Sequence, residues 1–229
     1  MVCLASLVTV FSMPSYSQFL PNLQAKTPAE FDAYLDVLEG PAIEKGDAFL
    51  SAFPQSALLL PVCEMQVKAW RAKGDAQRAI TAADRGLSIA PEYVPLLVEI
   101  ASVLANESQQ LDRAESSANQ ALDLLERVKA PVRIPPDTWT AAVASLRAKA
   151  RVSLGLVKFK RNDIPGAVKE FEAAIAAPGP GDATVHYRLG SLYAITGRGA
   201  EARVQLRKAA STNDTALRAL ALAALSAIP

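Results

Sequence analysis

Apolar and small residues recur along this chain at a fixed distance. Leu154-Gly155, Ala167, Phe171 and Ala174 return as Leu189-Gly190, Ala202, Leu206 and Ala209, each 35 residues later. Within each set the steps from Gly to Ala to a large residue to Ala are 12, 4 and 3. The last two steps place three residues on one helix face. Ala79 and Ala114 are also 35 residues apart. A repeated step of this size marks a stack of supersecondary units, each burying its apolar face on the next. Small residues at Gly155, Gly190, Ala167 and Ala202 let two helix backbones approach, and Phe171, Leu206 and Tyr193 fill the space left over.

The chain in order supports this reading. Residues 2–13 form an uncharged apolar run of about 12 residues, too short to span a bilayer and suited to the apolar region of a signal peptide. Ser15 and Ser17 suit a cleavage site before Gln18, although no Lys or Arg precedes the run. The expectation is a signal peptide over 1–17 and an exported protein, periplasmic or membrane-associated through that run. The alternative is a cytoplasmic chain whose N-terminal run packs on the stack. Thr27-Pro28-Ala29-Glu30 predicts a helix start: Thr27 caps, Pro28 suits the first position and Glu30 completes a capping box. Helices are expected over 28–38 and 42–52, split by Gly40-Pro41, with Ala29, Tyr34, Leu38, Phe49 and Phe53 as apolar faces. Residues 18–56 thus read as a degenerate terminal pair.

Two regular units follow over 57–128. The first carries Val62, Val67 and Trp70, a turn near Gly74, then Ala79, Ala83 and Gly86-Leu87. The second carries Leu97, Ile100-Ala101 and Leu104, then Ala114, Ala118 and Ala121-Leu122. From Ala114 to Ala167 the distance is 53, and the extra length holds a Pro-rich stretch over 130–136 that cannot be helix. The reading is a linker over 129–136 and a long helix from near Asp137 to about Lys160, opening two further units over 137–212. Pro178-Gly179-Pro180-Gly181 makes the turn between them. Residues 213–229 are rich in Ala and Leu and read as a capping helix, less polar than an exposed cap should be.

His186, Leu189-Gly190, Tyr193, a turn at Gly197, then Ala202, Leu206 and Ala209 resemble a tetratricopeptide repeat, a helix-turn-helix unit of about 34 residues. The resemblance implies an all-α fold, an α-solenoid of stacked antiparallel helix pairs wound as a right-handed superhelix. It also implies a concave groove, lined by the first helix of each unit, that binds peptides or partner proteins. The groove positions are Glu64, Lys68 and Arg71 in one unit, then Val98, Ser102 and Asn106. The third unit gives Lys149, Val152, Leu156, Phe159 and Lys160, and the last gives Tyr187, Arg188 and Ser191. Residues three and four apart share a face, so each set projects together. The mix of basic, aromatic and apolar side chains suits an extended segment of acidic and hydrophobic character. Members that grip a C-terminal carboxylate use Lys and Asn, then Asn, then Lys and Arg. The matching positions here are Glu64 and Lys68, Ser102, and Lys149 and Ser153, of which only Lys149 fits, so that ligand class is not expected.

Composition narrows the function further. Apolar residues are 51% and aromatics 6%, and few runs favour strands. Net charge is +1 with both signs interspersed, which gives no electrostatic case for nucleic acid. His186 is the single histidine and falls on a packed helix position, so no histidine-based metal or nucleophile system is expected. Cys63 falls on a core position and reads as a buried, inert thiol; with Cys3 it gives no disulfide framework. Glycines at 179, 181, 197 and 199 sit in inter-helix turns without the strand a phosphate loop needs. Glu170-Glu172 and Asp112-Glu115 read as solvated faces. The expectation is a non-catalytic scaffold with no cofactor. Two other readings stay open: an accessory part of an envelope enzyme complex, and a structural protein that self-assembles through its apolar ends.

Overall fold

The computed structural model describes residues 24–131, 134–176 and 182–228. The run expected as a signal peptide, Cys3 and the Pro178–Gly181 turn lie outside these residues. The described chain is all helical. Helices α1 (Pro28–Glu39) and α2 (Ala42–Ala52) form the first pair, followed by α3 (Leu59–Ala72) with α4 (Ala76–Ile89) and α5 (Val94–Asn106) with α6 (Leu111–Arg127). Then come α7 (Pro136–Lys160) with α8 (Ile164–Ile175), α9 (Ala183–Ile195) with α10 (Gly199–Ala210), and the closing α11 (Thr215–Ser226). Each helix packs on its pair partner and each pair on the next, so the architecture is an α-solenoid. No described helix is long and apolar enough to cross a membrane.

The 35-residue step appears in space as one repeated corner. Ala79, Ala114, Ala167 and Ala202 are all fully buried. Each is the fourth residue of its helix and donates its backbone N–H to the residue before that helix: Asp75 (3.1 Å), Gln110 (3.0 Å), Asp163 (2.9 Å) and Arg198 (2.9 Å). The preceding helices end alike. Asp75, Gln109, Asp163 and Arg198 donate their N–H groups five residues back, to Trp70, Leu104, Lys158 and Tyr193. This bond satisfies carbonyls that a helix end would leave bare, and the tight return needs a left-handed residue. Gly74 (φ 74°), Asn162 (φ 62°) and Gly197 (φ 78°) supply it at equivalent positions.

Thr27 caps α1 as expected, accepting from Glu30 N–H at 3.1 Å, but the Glu30 carboxylate reaches Lys26 N–H at 2.6 Å, one residue earlier than a capping box predicts. The 18 extra residues before Ala167 go mostly into α7, the longest helix at 25 residues. Its first half does not overhang. Leu146, Ala150 and Leu154 complete a core with Val94, Leu97, Ala101, Ala118, Leu122 and Leu125, so α7 packs along both α5 and α6.

Candidate functional site: the face of the first helices

The first helices α3, α5, α7 and α9 are tied together by polar contacts between their inner faces. Glu99 on α5 is 4% exposed, and two cations from its neighbours converge on it. Arg71 on α3 donates to one carboxylate oxygen at 2.5 Å, and Lys149 Nζ on α7 lies 3.7 Å from the other. Glu64 on α3 is also buried. It accepts from Lys68 Nζ at 2.5 Å and from the Tyr93 hydroxyl at 3.3 Å. Burial pushes the Glu64 carboxyl above its usual range, and Lys68 only partly opposes this. The buried Tyr93 hydroxyl is raised by burial and then by the Glu64 charge.

A longer link closes the far end. Arg188 Nη2 on α9 donates to Asn106 Oδ1 on α5 at 3.4 Å, across 82 residues of sequence. Asn106 Nδ2 in turn donates to the Ser102 carbonyl at 2.7 Å. Arg71 and Lys149, joined through the buried Glu99, therefore lie on the α5 face that also carries Ser102 and Asn106, to which Arg188 is bonded.

The structure divides the residues expected in the groove. Lys68, Arg71, Asn106, Lys149, Phe159 and Lys160 are exposed, and Ser102, Val152, Tyr187, Arg188 and Ser191 are half-buried. Glu64, Val98 and Leu156 are buried and present no contact surface. Val98 fails for a simple reason. The 35-residue step from Glu64, Lys68 and Arg71 lands on Glu99, Val103 and Asn106, whereas the sequence reading took Val98 and Ser102. One residue is about 100° around a helix, which turns Val98 into the core. The same step would have found Glu99, the one buried carboxylate that joins three helices. Leu156 is equivalent to Lys68, but it packs in the main core.

The remaining candidates for chemistry are packed or hydrogen-bonded within the solenoid. His186 is buried with Nδ1 2.7 Å from Gln205 Oε1. Cys63 is a buried free thiol, and burial pushes its pKa up to about 11. The carboxylates read as solvated faces do more than face water. Glu115 accepts from Lys158 at 2.8 Å and from Arg161, Glu170 from Arg151 at 2.8 Å, and Glu172 from the Tyr193 hydroxyl at 2.5 Å. Among the described residues no three His, Cys, Asp or Glu side chains cluster as a metal site would need. An open cavity of about 580 Å³ lies at α2 and α4, lined by Asp47, Leu50, Pro54, Arg85 and Ile89 among others.

No family model matches the sequence, and neither does any curated protein. Solved structures do match in fold. TTC0263, a thermophilic TPR protein of Thermus thermophilus, is 18% identical and superposes with a TM-score of 0.54 over 86% of this chain and 99% of its own. MamA is 20% identical, with a TM-score of 0.43 over 70% of this chain and 90% of its own. A tetratricopeptide repeat protein from Parabacteroides merdae is 14% identical, with a TM-score of 0.40 over 85% and 96%. The first of these likenesses establishes the fold.

Proposed function

We propose that this tetratricopeptide-type solenoid is a non-catalytic scaffold that holds an extended segment of a partner protein against α3, α5, α7 and α9. The observation that carries the reading is the α5 face that links Arg71 to Arg188. Lys68 pairs with the buried Glu64, Arg71 and Lys149 share the buried Glu99, and Lys160 and Arg188 add two further cations to the same set of helices. The excess positive charge favours an acidic segment. Phe159, 43% exposed on α7, occupies the position that Arg71 and Asn106 hold on α3 and α5, and offers an aromatic anchor beside the charges. Export, read from residues 2–13, places the partner in the envelope; N-terminal sequencing of the mature protein from cell fractions tests that part.

The binding test uses the full chain as bait for displayed random twelve-residue peptides. Selected peptides combine Asp or Glu with aromatic or aliphatic residues, and Phe159→Ala weakens them about tenfold, the loss of one modest anchor. Peptides that bind Phe159→Ala as tightly as the parent chain would place the partner elsewhere.

A further inference from the structure

The geometry points to Arg188, oriented by Asn106, as the residue that grips one Asp or Glu side chain of the bound segment and sets its position along the groove. This deepens the groove reading and rests on it. The argument starts from unmatched charge. Three other cations of the wall already have carboxylates, Arg71 and Lys149 sharing Glu99 and Lys68 holding Glu64, while Lys160 is exposed to solvent. On other faces Arg151, Arg161 and Arg198 are ion-paired with Glu170, Glu115 and Glu201. Arg188 is half-buried; the charge of Asp182, at the start of α9, reaches it, but among the described residues no carboxylate is bonded to its guanidinium. Its hydrogen bond to Asn106 Oδ1, at 3.4 Å, is long and goes to an acceptor without charge.

Burial draws the Arg188 guanidinium below the ordinary arginine range, against the charge of Asp182, while Arg161 and Arg198 are raised by the carboxylates bonded to them. A partly desolvated cation without a bonded anion is costly, and a carboxylate that enters its site reduces that cost. Arginine suits the role because its planar fork donates two parallel bonds to one carboxylate. Ser102 holds the Asn106 amide by two contacts, its carbonyl at 2.7 Å and its hydroxyl at 3.5 Å, and the amide oxygen is thereby turned to Arg188. The guanidinium thus has the Asn106 amide oxygen as its neighbour on one side. The equivalent residues on α3, α5 and α7 are Met65, Ile100 and Ser153, so this cation occurs once and marks one end of the wall.

The test repeats the random-peptide selection on the parent chain and on Arg188→Gln, then measures anisotropy with the most enriched peptide, its acid-to-amide counterpart and a C-terminally amidated form. On the parent chain one acidic position is fixed, the amide counterpart binds at least about tenfold more weakly, and amidation of the C-terminus changes nothing. On Arg188→Gln the acidic position is lost, hydrophobic positions persist and the two peptides bind alike. Arg188→Lys, which keeps the charge and loses the fork, gives an intermediate ratio and decides the matter if Arg188→Gln does not fold. An acid-to-amide ratio unchanged in both variants, with binding still dependent on Phe159, overturns this inference and leaves the groove standing. Loss of binding on amidation overturns the side-chain assignment. Failure to enrich any peptide overturns both readings.

Discussion

A Cβ atom on Gly190 would sit 2.7 Å from Leu206 Cγ and 3.1 Å from the Leu206 backbone nitrogen. One repeat earlier, a Cβ on Gly155 would meet the Phe171 ring at 2.7 Å. The two pairs are the same contact 35 residues apart, and they set how closely each first helix lies on its partner. Gly190→Ala gains helix propensity of about 1 kcal/mol but overpacks against the Leu206 side chain and backbone, a cost of about 1–3 kcal/mol. Net destabilisation is expected in urea unfolding, and the substitution costs less in a Leu206→Ala background, because the side-chain collision is then gone and only the 3.1 Å approach to the backbone nitrogen remains.

At Gly197 the cause is different. Its φ is 78° and an added Cβ would meet nothing within 4 Å. Gly197→Ala therefore costs only the left-handed backbone, about 1 kcal/mol, and Leu206→Ala leaves that cost unchanged. A double-mutant cycle by urea unfolding that coupled Gly197 to Leu206 would contradict this separation.

Glu99→Gln removes the charge that Arg71 and Lys149 share. Removing one member of a fully buried pair costs about 3–5 kcal/mol, and the exposure of both cations lowers this to about 1–3 kcal/mol. The loss should appear as a lower urea midpoint with an unchanged slope. Glu115→Gln, whose partners Lys158 and Arg161 are also partly exposed but whose carboxylate is not buried, should cost less.

Glu64 and Glu115 give opposite pH signs. The Glu64 carboxyl is raised in the folded chain, chiefly by burial. The native state then holds a proton that the unfolded state has released, so stability falls as pH rises from the ordinary glutamate range to the raised value, and is flat above it. The Glu115 carboxyl is lowered, first by the hydrogen bonds from Lys158 and Arg161. Its contribution is present above the ordinary range and is lost as pH falls through the lowered value. Unfolding free energies from pH 3 to 8 check both: Glu64→Gln removes the decline above the ordinary range, and Glu115→Gln removes the loss below it.

Cys63 should resist modification in the folded protein. With the thiol buried and its pKa at about 11, little thiolate is present near neutral pH. In a Cys3→Ser chain, maleimide labelling at pH 8 is slow without denaturant and fast in urea.

The sequence alone determined the period, and with it the pairing of helices, the four equivalent alanines and the turns at Gly74 and Gly197, though not the left-handed Asn162. These depend on neighbours within one repeat, where spacing along a helix fixes which side chains share a face. It also led to Lys68, Arg71, Asn106, Phe159 and Arg188 as exposed or half-buried positions. Only the tertiary structure decided how wide the buried stripe of each helix is. α5 lies between two pairs, so it buries Val98 and Glu99 together, and it draws the charge partners of Glu99 from α3 and α7. The Arg188–Asn106 contact skips a whole repeat and depends on the curvature summed over α5 to α9. A local pattern carries no record of that curvature, because each unit adds a small rotation that its own residues do not reveal.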